Sequence, residues 1–298
     1  MRVFVTGGSG FVGTHLLAHL ATFGDHVEAP LADVTDLAAI TAAIRAMPGG
    51  PPEAIIHLAG QADVGRSWTD VSLTWAVNTM GTVNLLEAAR VAAPDARIIV
   101  VSSAEVYGRV AADELPIGES QPTSESSPYG ASKIAAEIAS RSAFEHFGQR
   151  VIIARPFNHV GVGQSPGFIL PAIARQIVEA ERSSLNTIKL GNLDSRRDMT
   201  AVQDVVAAYR LMAERGVDGA TYNVCSDRAV PMRELVDRML ALANTSLMVE
   251  LDHSRLRPSD IAEQRGDSTR LRSETGWRPV VGLDVVLAAV LDEWRQRA

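Results

Sequence analysis

Short apolar runs alternate with longer stretches of helical periodicity along the first half of the chain. Val3 to Thr6 reads as a strand, and Phe11 to Phe23 as a helix whose apolar positions recur about every 3.6 residues. His26 to Leu31 gives a second strand, after which Asp33-Val34-Thr35-Asp36 caps a helix over Leu37 to Met47. Glu53 to Leu58 is a third strand, followed by a long helical stretch from Val71 to Ala92. Arg97 to Val101 is a fourth strand that ends in Ser102-Ser103. Pro128 to Phe147 is helical, and Val151 to Ala154 completes a fifth strand. Strands alternating with helices of this length predict an α/β fold of Rossmann type, a doubly wound parallel sheet. After Pro156 the pattern loosens. Phe157 to Gly167 reads as a Gly- and Pro-rich loop, Phe168 to Arg182 as a helix, and Thr187 to Leu190 as a short strand. A helix over Asp204 to Glu214, a strand over Tyr222 to Cys225, and helices over Pro231 to Ala243 and Leu283 to Arg297 follow. This portion predicts a smaller, irregular α/β domain that closes over the carboxyl edge of the sheet, where ligands of such folds bind.

Candidate chemistry sits at two places in that pattern. Thr6-Gly7-Gly8-Ser9-Gly10-Phe11-Val12-Gly13 joins the first strand to the first helix, and Gly7, Gly10 and Gly13 form a GxxGxxG variant of the dinucleotide fingerprint. Without side chains the backbone can turn tightly and present amides to a pyrophosphate at a helix N-terminus. Asp33 falls about 20 residues after the last glycine, where a carboxylate can bind a ribose hydroxyl, but it also sits in the capping Asp-Val-Thr-Asp. With no carboxylate clearly set against a 2′-phosphate, NADP(H) is favoured, and NAD(H) is admitted by the same residues. Tyr129 and Lys133, four apart, share one helix face. The ammonium is expected to lower the phenol from its ordinary value of about 10, making a proton donor and acceptor for carbonyl reduction or alcohol oxidation.

Composition narrows the picture. The chain has 298 residues, 46% hydrophobic but only 5% aromatic, so the core is aliphatic, as buried parallel strands require. A net charge of −7 with no long basic run argues against nucleic acid as the partner. The single Cys225 excludes an internal disulfide and suggests a reducing compartment. The chain enters a strand at residue 2, which leaves no room for a signal peptide, and no apolar run approaches the roughly 20 residues of a membrane span. A cytoplasmic protein with no membrane partner is the expectation. The seven histidines show no metal-ligand spacing and no GxSxG elbow is present, so neither a metal site nor a serine hydrolase is expected. His57 reads as a core residue. For His159 a ligand contact and a structural role both stay open.

Together the motifs resemble those of the extended short-chain dehydrogenase/reductases. The matching residues are Thr6 to Gly13, His57-Leu58-Ala59-Gly60, Asn78, Ser102 to Gly108, the Tyr129/Lys133 pair and Arg155-Pro156-Phe157-Asn158. The resemblance covers the whole chain. It implies a Rossmann domain at residues 1–156 with a return segment near 198–225, and a nucleotide-sugar-binding domain from 157–197 and 226–298. It further implies a cofactor held by Gly7, Ser9, Gly10, Phe11, Val12, Gly13, Asp33, Val34, Leu58, Ala59, Gly60, Asn78, Tyr129, Lys133 and Pro156. Ser103 would hydrogen-bond the substrate carbonyl. A homodimer is implied through the helices at 71–92 and 128–147, whose surfaces are rich in alanine.

A narrower similarity lies in Arg155 to Gln164, Lys189 to Thr200, Tyr222 to Ser226, Leu256 to Ser259 and Thr275 to Pro279. The first two look like GDP-4-keto-6-deoxy-D-mannose reductases and their relatives, the GDP-mannose 4,6-dehydratases, with Val162 and Met199 as departures, and the last three look like the reductase group specifically. The resemblance implies a nucleotide-diphosphate sugar as substrate, with Asn158, Arg197 and Arg257 as its binding residues, since guanidinium forks match phosphate oxygens. Glu105 matches the carboxylate that a dehydratase uses as base, yet the reductases also keep a glutamate there, so its role stays open between base and substrate orienter. Ala104 has no proton to give where dehydratases place Asp or Ser, which tilts the reading toward simple reduction of a 4-keto group. A 4-epimerase or 4-ketoreductase acting on another nucleotide sugar, a dehydratase, and a non-catalytic dinucleotide-binding sensor remain as alternatives.

Overall fold

The computed structural model describes residues 1–183, 185–252 and 261–297. β1 (Arg2–Thr6) enters the core at once and leads through the glycine turn into α1 (Phe11–Thr22). β2 (His26–Glu28) and α2 (Leu37–Arg45) follow, then β3 (Ala54–His57), whose four residues are all buried. α3 (Val64–Ser67), α4 (Val71–Trp75), a π-helical turn (Ala76–Met80) and α5 (Gly81–Ala92) lead to β4 (Arg97–Val101). A 3₁₀ turn (Ala104–Tyr107), α6 (Pro128–Phe147) and β5 (Arg150–Pro156) close this half. The second half runs β6 (Asn158–Val160), α7 (Ile169–Ser183), β7 (Thr187–Leu190), β8 (Arg196–Ala201), α8 (Val202–Arg215), β9 (Thr221–Val224) and β10 (Ala229–Pro231). It ends with α9 (Met232–Ala241), β11 (Met248–Leu251), β12 (Glu263–Gln264), α10 (Thr269–Thr275) and α11 (Leu283–Arg297).

The main sheet has the order β2-β1-β3-β4-β5-β9 with every neighbouring pair parallel. The strand order reverses between β1 and β3, and this is the switch point at which the carboxyl ends of an open sheet form a crevice. Leu16 and Leu20 of α1 and Val205, Tyr209 and Met212 of α8 cover one face. Ile40 and Ile44 of α2 and Leu85, Ala88 and Ala89 of α5 cover the other. A separate core joins α7, α9 and α11 to β7 and β8. There β6 and β12 lie parallel to β8 and β10 antiparallel, while β7 pairs with β11. Trp277, 1% exposed, ties the C-terminal segment back to the main core by donating Nε1 to Asp204 O at 2.8 Å. Among the described residues no helix is long and apolar enough to cross a membrane.

Three sequence expectations are corrected. The stretch from Val71 to Ala92 is broken by the π turn, which no apolar spacing announces. β2 stops at Glu28, and Pro30, which lacks an amide proton, follows it. The segment read as a loop from Phe157 contains β6, whose partner β8 lies about forty residues ahead and is invisible to local pattern.

Candidate active site

Gly7 holds a left-handed φ of 73° at the turn after β1. A Cβ there would lie 2.6 Å from Ala59 N, and one on Gly13 would lie 2.3 Å from Gly7 O. Both positions therefore demand glycine. Gly10, the N-cap of α1, offers no side chain to the first helical amides. The residues present thus fit a pyrophosphate: a tight glycine cradle facing the uncapped N-terminus of a 12-residue helix. Ser9 and Gly10 are exposed, while Phe11 and Val12 are half-buried. The Phe11 ring stacks on His159, with centroids 6.0 Å apart and planes within 6°.

A buried hydrogen-bond chain fixes this loop to its neighbours. Thr82 Oγ1 donates to Asn78 O at 2.7 Å, so it accepts from His57 Nε2–H at 3.1 Å. His57 Nδ1 then accepts from the Thr6 hydroxyl at 2.7 Å, and Thr6 Oγ1 accepts from Ala59 N–H at 3.3 Å. Burial, with a smaller push from the Lys133 charge, holds His57 down at about 3, which keeps it neutral in this tautomer. Asn78, at 1% exposure, accepts Gln61 N–H at 2.8 Å through Oδ1 and donates to Gln61 O and Ser132 Oγ. The π turn delivers that amide between the β3 exit and α6. A Cβ on Gly60 would meet Asn78 Oδ1 at 3.1 Å and Lys133 Nζ at 3.4 Å.

Ser127 caps α6 through a 3.0 Å bond from Gly130 N–H, and Pro128 opens the helix. Tyr129 and Lys133 are buried on its inward face, 6% and 7% exposed. The Tyr129 hydroxyl is hydrogen-bonded to Ser103. Lys133 Nζ donates to Val101 O at 2.8 Å. The expected lowering of the phenol by the ammonium is reversed. Burial pushes Tyr129 up to about 12; the Ser103 bond works against this and the half-buried Glu105 charge adds to it. Lys133 itself is driven down to about 8 by burial, with Glu137 opposing. In a low-dielectric site desolvation of the phenolate outweighs a cation whose proton is shared with a backbone carbonyl.

The remaining sequence candidates divide by position. Asp33 is exposed, and its Oδ1 accepts from Thr35 N–H and Oγ1–H, which hold the carboxyl below its ordinary range. Asp36 supplies the cap of α2, accepting from the amides of Ala38 and Ala39. Val34 is 5% exposed, and its side chain packs against Gly81 at the start of α5. Leu58 and Ala59 are half-buried beside Gly7. Pro156 is buried at the end of β5, opposite Val224. Asn158 donates to Gln264 Oε1 at 3.4 Å. Arg197 donates to Ile261 O at 2.7 Å. Both line a cleft of about 640 Å³ together with Asp63, Gln164, Phe168 and Asn192. Ser103, Tyr129 and Lys133 do not line it, so it is a compartment next to the proton-transfer groups. Arg257 lies outside the described residues. Glu105 makes polar contact within the protein. Among the described residues no cluster of His, Cys, Asp and Glu is placed to hold a metal ion.

Sequence reasoning placed Thr6, His57, Ser102 and Arg155 in motifs and His57 in the core, but it did not join them into buried networks, and it missed Glu137 and Thr82. A charge at position 137, four residues after Lys133 on the same face, was the one available signal.

Known proteins supply the family. The family model described as GDP-mannose 4,6 dehydratase matches residues 25–290. The GDP-6-deoxy-D-mannose reductase of Pseudomonas aeruginosa is 38% identical over 300 residues, covering 99% of this chain and 98% of that protein. The structure of RMD from Pseudomonas aeruginosa complexed with NADPH superposes with a TM-score of 0.92 at 36% identity, covering 100% of this chain and 98% of that one. A Thermus thermophilus UDP-glucose 4-epimerase complex with NAD gives 0.87 at 27% identity, with both chains fully covered. A parallel Rossmann sheet, the glycine cradle, the Tyr129/Lys133 helix and these full-length likenesses agree: the chain belongs to the GDP-mannose 4,6 dehydratase family, within the extended short-chain dehydrogenase/reductases.

Proposed function

We propose that the protein reduces the 4-keto group of GDP-4-keto-6-deoxy-D-mannose, giving a GDP-6-deoxyhexose of the D-rhamnose type. The observation that carries this reading is the Tyr129 hydroxyl bonded to Ser103 beside a buried Ala104. That arrangement has a proton donor and a carbonyl partner, but residue 104 brings no acid to expel a hydroxyl. NADP(H) is the favoured dinucleotide, supported by the NADPH in the RMD complex and by an Asp33 carboxylate engaged with Thr35. When bound, the dinucleotide supplies the hydride to C4. Ser103 donates a hydrogen bond to the carbonyl oxygen, Tyr129 delivers the proton that completes the alcohol, and the Lys133 ammonium stabilises the negative charge left on the phenolate oxygen. Gly7, Gly10, Gly13, Gly60 and Asn78 are the residues we assign to hold the dinucleotide. Asn158 and Arg197 are assigned to the sugar nucleotide in the adjoining cleft.

The test is incubation with GDP-4-keto-6-deoxy-D-mannose and NADPH or NADH, with the sugar identified by mass and NMR. Stoichiometric NADPH loss with a new 6-deoxyhexose is the expected outcome. Glu105, whose charge acts on Tyr129, favours one second reading, a 4,6-dehydratase. Formation of the 4-keto sugar from GDP-mannose by this protein alone would replace the first reading with that one. A cytoplasmic location and a homodimer complete the proposal; the dimer is supported by exposed Leu73, Trp75, Met80, Val83 and Ile138 on the stretch from α4 to α6. Sedimentation at a monomer mass would remove the dimer.

A further inference from the structure

Three consecutive residues at the end of β4 are each gripped by α6. Lys133 Nζ donates to Val101 O at 2.8 Å, Ser102 Oγ donates to Glu137 Oε1 at 2.6 Å, and the Ser103 hydroxyl is bonded to Tyr129. Tyr129, Lys133 and Glu137 recur every four residues and so form one stripe along the helix. Glu137 is 0% exposed and is held bidentately by Arg155 of β5, through Nε at 2.8 Å and Nη2 at 2.6 Å. Arg141 Nη1 donates to it at 3.0 Å from the solvent side. Arg155 in turn donates to Glu119 O and lies 4.7 Å over the Tyr107 ring. An ion pair buried this deeply gains little stability over packed apolar side chains, because desolvation cancels much of the attraction. Its place directly behind Ser103 and Lys133 suggests a different use.

We propose that Glu137 is a positioning residue of the active site: its carboxylate fixes Ser102, and with it the strand end that presents the Val101 carbonyl and the Ser103 hydroxyl, while its charge keeps Lys133 an ammonium. The inference rests on the roles given above to Ser103, Tyr129 and Lys133. The groups around Lys133 leave this role to Glu137. Tyr129 on α6 is a neutral phenol. His57 on β3 is neutral, held at about 3. Arg155 on β5 is paired with Glu137. Glu105 on the 3₁₀ turn acts on Tyr129. Burial takes Lys133 down to about 8, and the Glu137 charge is what opposes a further fall.

The chain has two lysines, Lys133 and Lys189, and Lys189 is exposed on β7. Protein labelled with 13C at the lysine ε-carbon therefore gives two resolvable signals, assigned with Lys189→Arg. The Lys133 signal titrates without substrate or turnover, so the result stands even where the reductase reading fails. In Glu137→Gln the Lys133 midpoint should drop by about one pH unit or more, with kcat lost at neutral pH and KM for the sugar nucleotide held. An unchanged midpoint overturns the proposal. Should Glu137→Gln not fold, because Arg155 is left unpaired, Ser102→Ala decides. It keeps the ion pair, and the proposal requires kcat to fall about threefold or more at constant KM, with Ser102→Thr restoring it. Wild-type kcat in Ser102→Ala overturns the positioning role.

Discussion

Burial keeps Tyr129 protonated up to about 12, which suits a residue that gives its proton away, and leaves Lys133 near 8 as the group that titrates close to working pH. Two expectations follow at this scale. Tyr129→Phe should lower turnover by about 10²–10⁴ while leaving dinucleotide affinity near wild type, measured by NADPH oxidation and by calorimetry. The ammonium form is present below about 8 and is lost above it, so kcat should decline as pH rises through that value; a flat profile from pH 7 to 9 would contradict the assignment. His57 bears on stability instead. Its folded value near 3 lies below the ordinary 6.5, so the unfolded chain binds the proton more readily. The stability this provides is complete above about pH 6.5 and is lost as pH falls toward 3. A thermal melt series should show His57→Gln with a shallower acid decline than wild type, at some cost in Tm at neutral pH.

At the scale of elements, the β1–α1 turn is the least forgiving part of the chain. Gly13→Ala forces a Cβ into the Gly7 carbonyl at 2.3 Å, between two backbone segments that cannot yield separately. It should weaken dinucleotide binding by about tenfold or more, read by fluorescence titration, together with a lower Tm. The cap of α2 is a milder case: Asp36→Ala leaves the Ala38 and Ala39 amides without their carboxylate acceptor and should cost about 1 kcal/mol in chemical denaturation without touching kcat. Elements built on local signals were readable in sequence. α6 runs from Pro128 to Phe147 as its Ser127 cap, Pro128 start and apolar spacing announce, and ends at Gly148 in a left-handed conformation. β6, β10 and β12 were not readable, since two- and three-residue strands exist only because β8 arrives beside them.

Across the whole molecule, the C-terminal segment is the clasp. Asp204 at the start of α8 receives Trp277 Nε1 at its carbonyl and Val281 N–H at its carboxylate, at 2.8 and 2.9 Å. Trp277→Ala should cost about 3–5 kcal/mol, seen as a lower denaturation midpoint at an unchanged m-value. Sequence alone determined the parallel Rossmann sheet, the glycine cradle and the Tyr129/Lys133 stripe, because each depends on spacing within one element or one turn. Tertiary structure decided what those side chains face. Ser102, Glu137 and Arg155 come from β4, α6 and β5, and Thr6, His57 and Thr82 from β1, β3 and α5. Whether a buried cation lowers a phenol, or desolvation raises it, depends on distances between elements that no local pattern encodes. Hydrophobic periodicity reports which face of an element is buried; it carries no information about the polar groups that meet there.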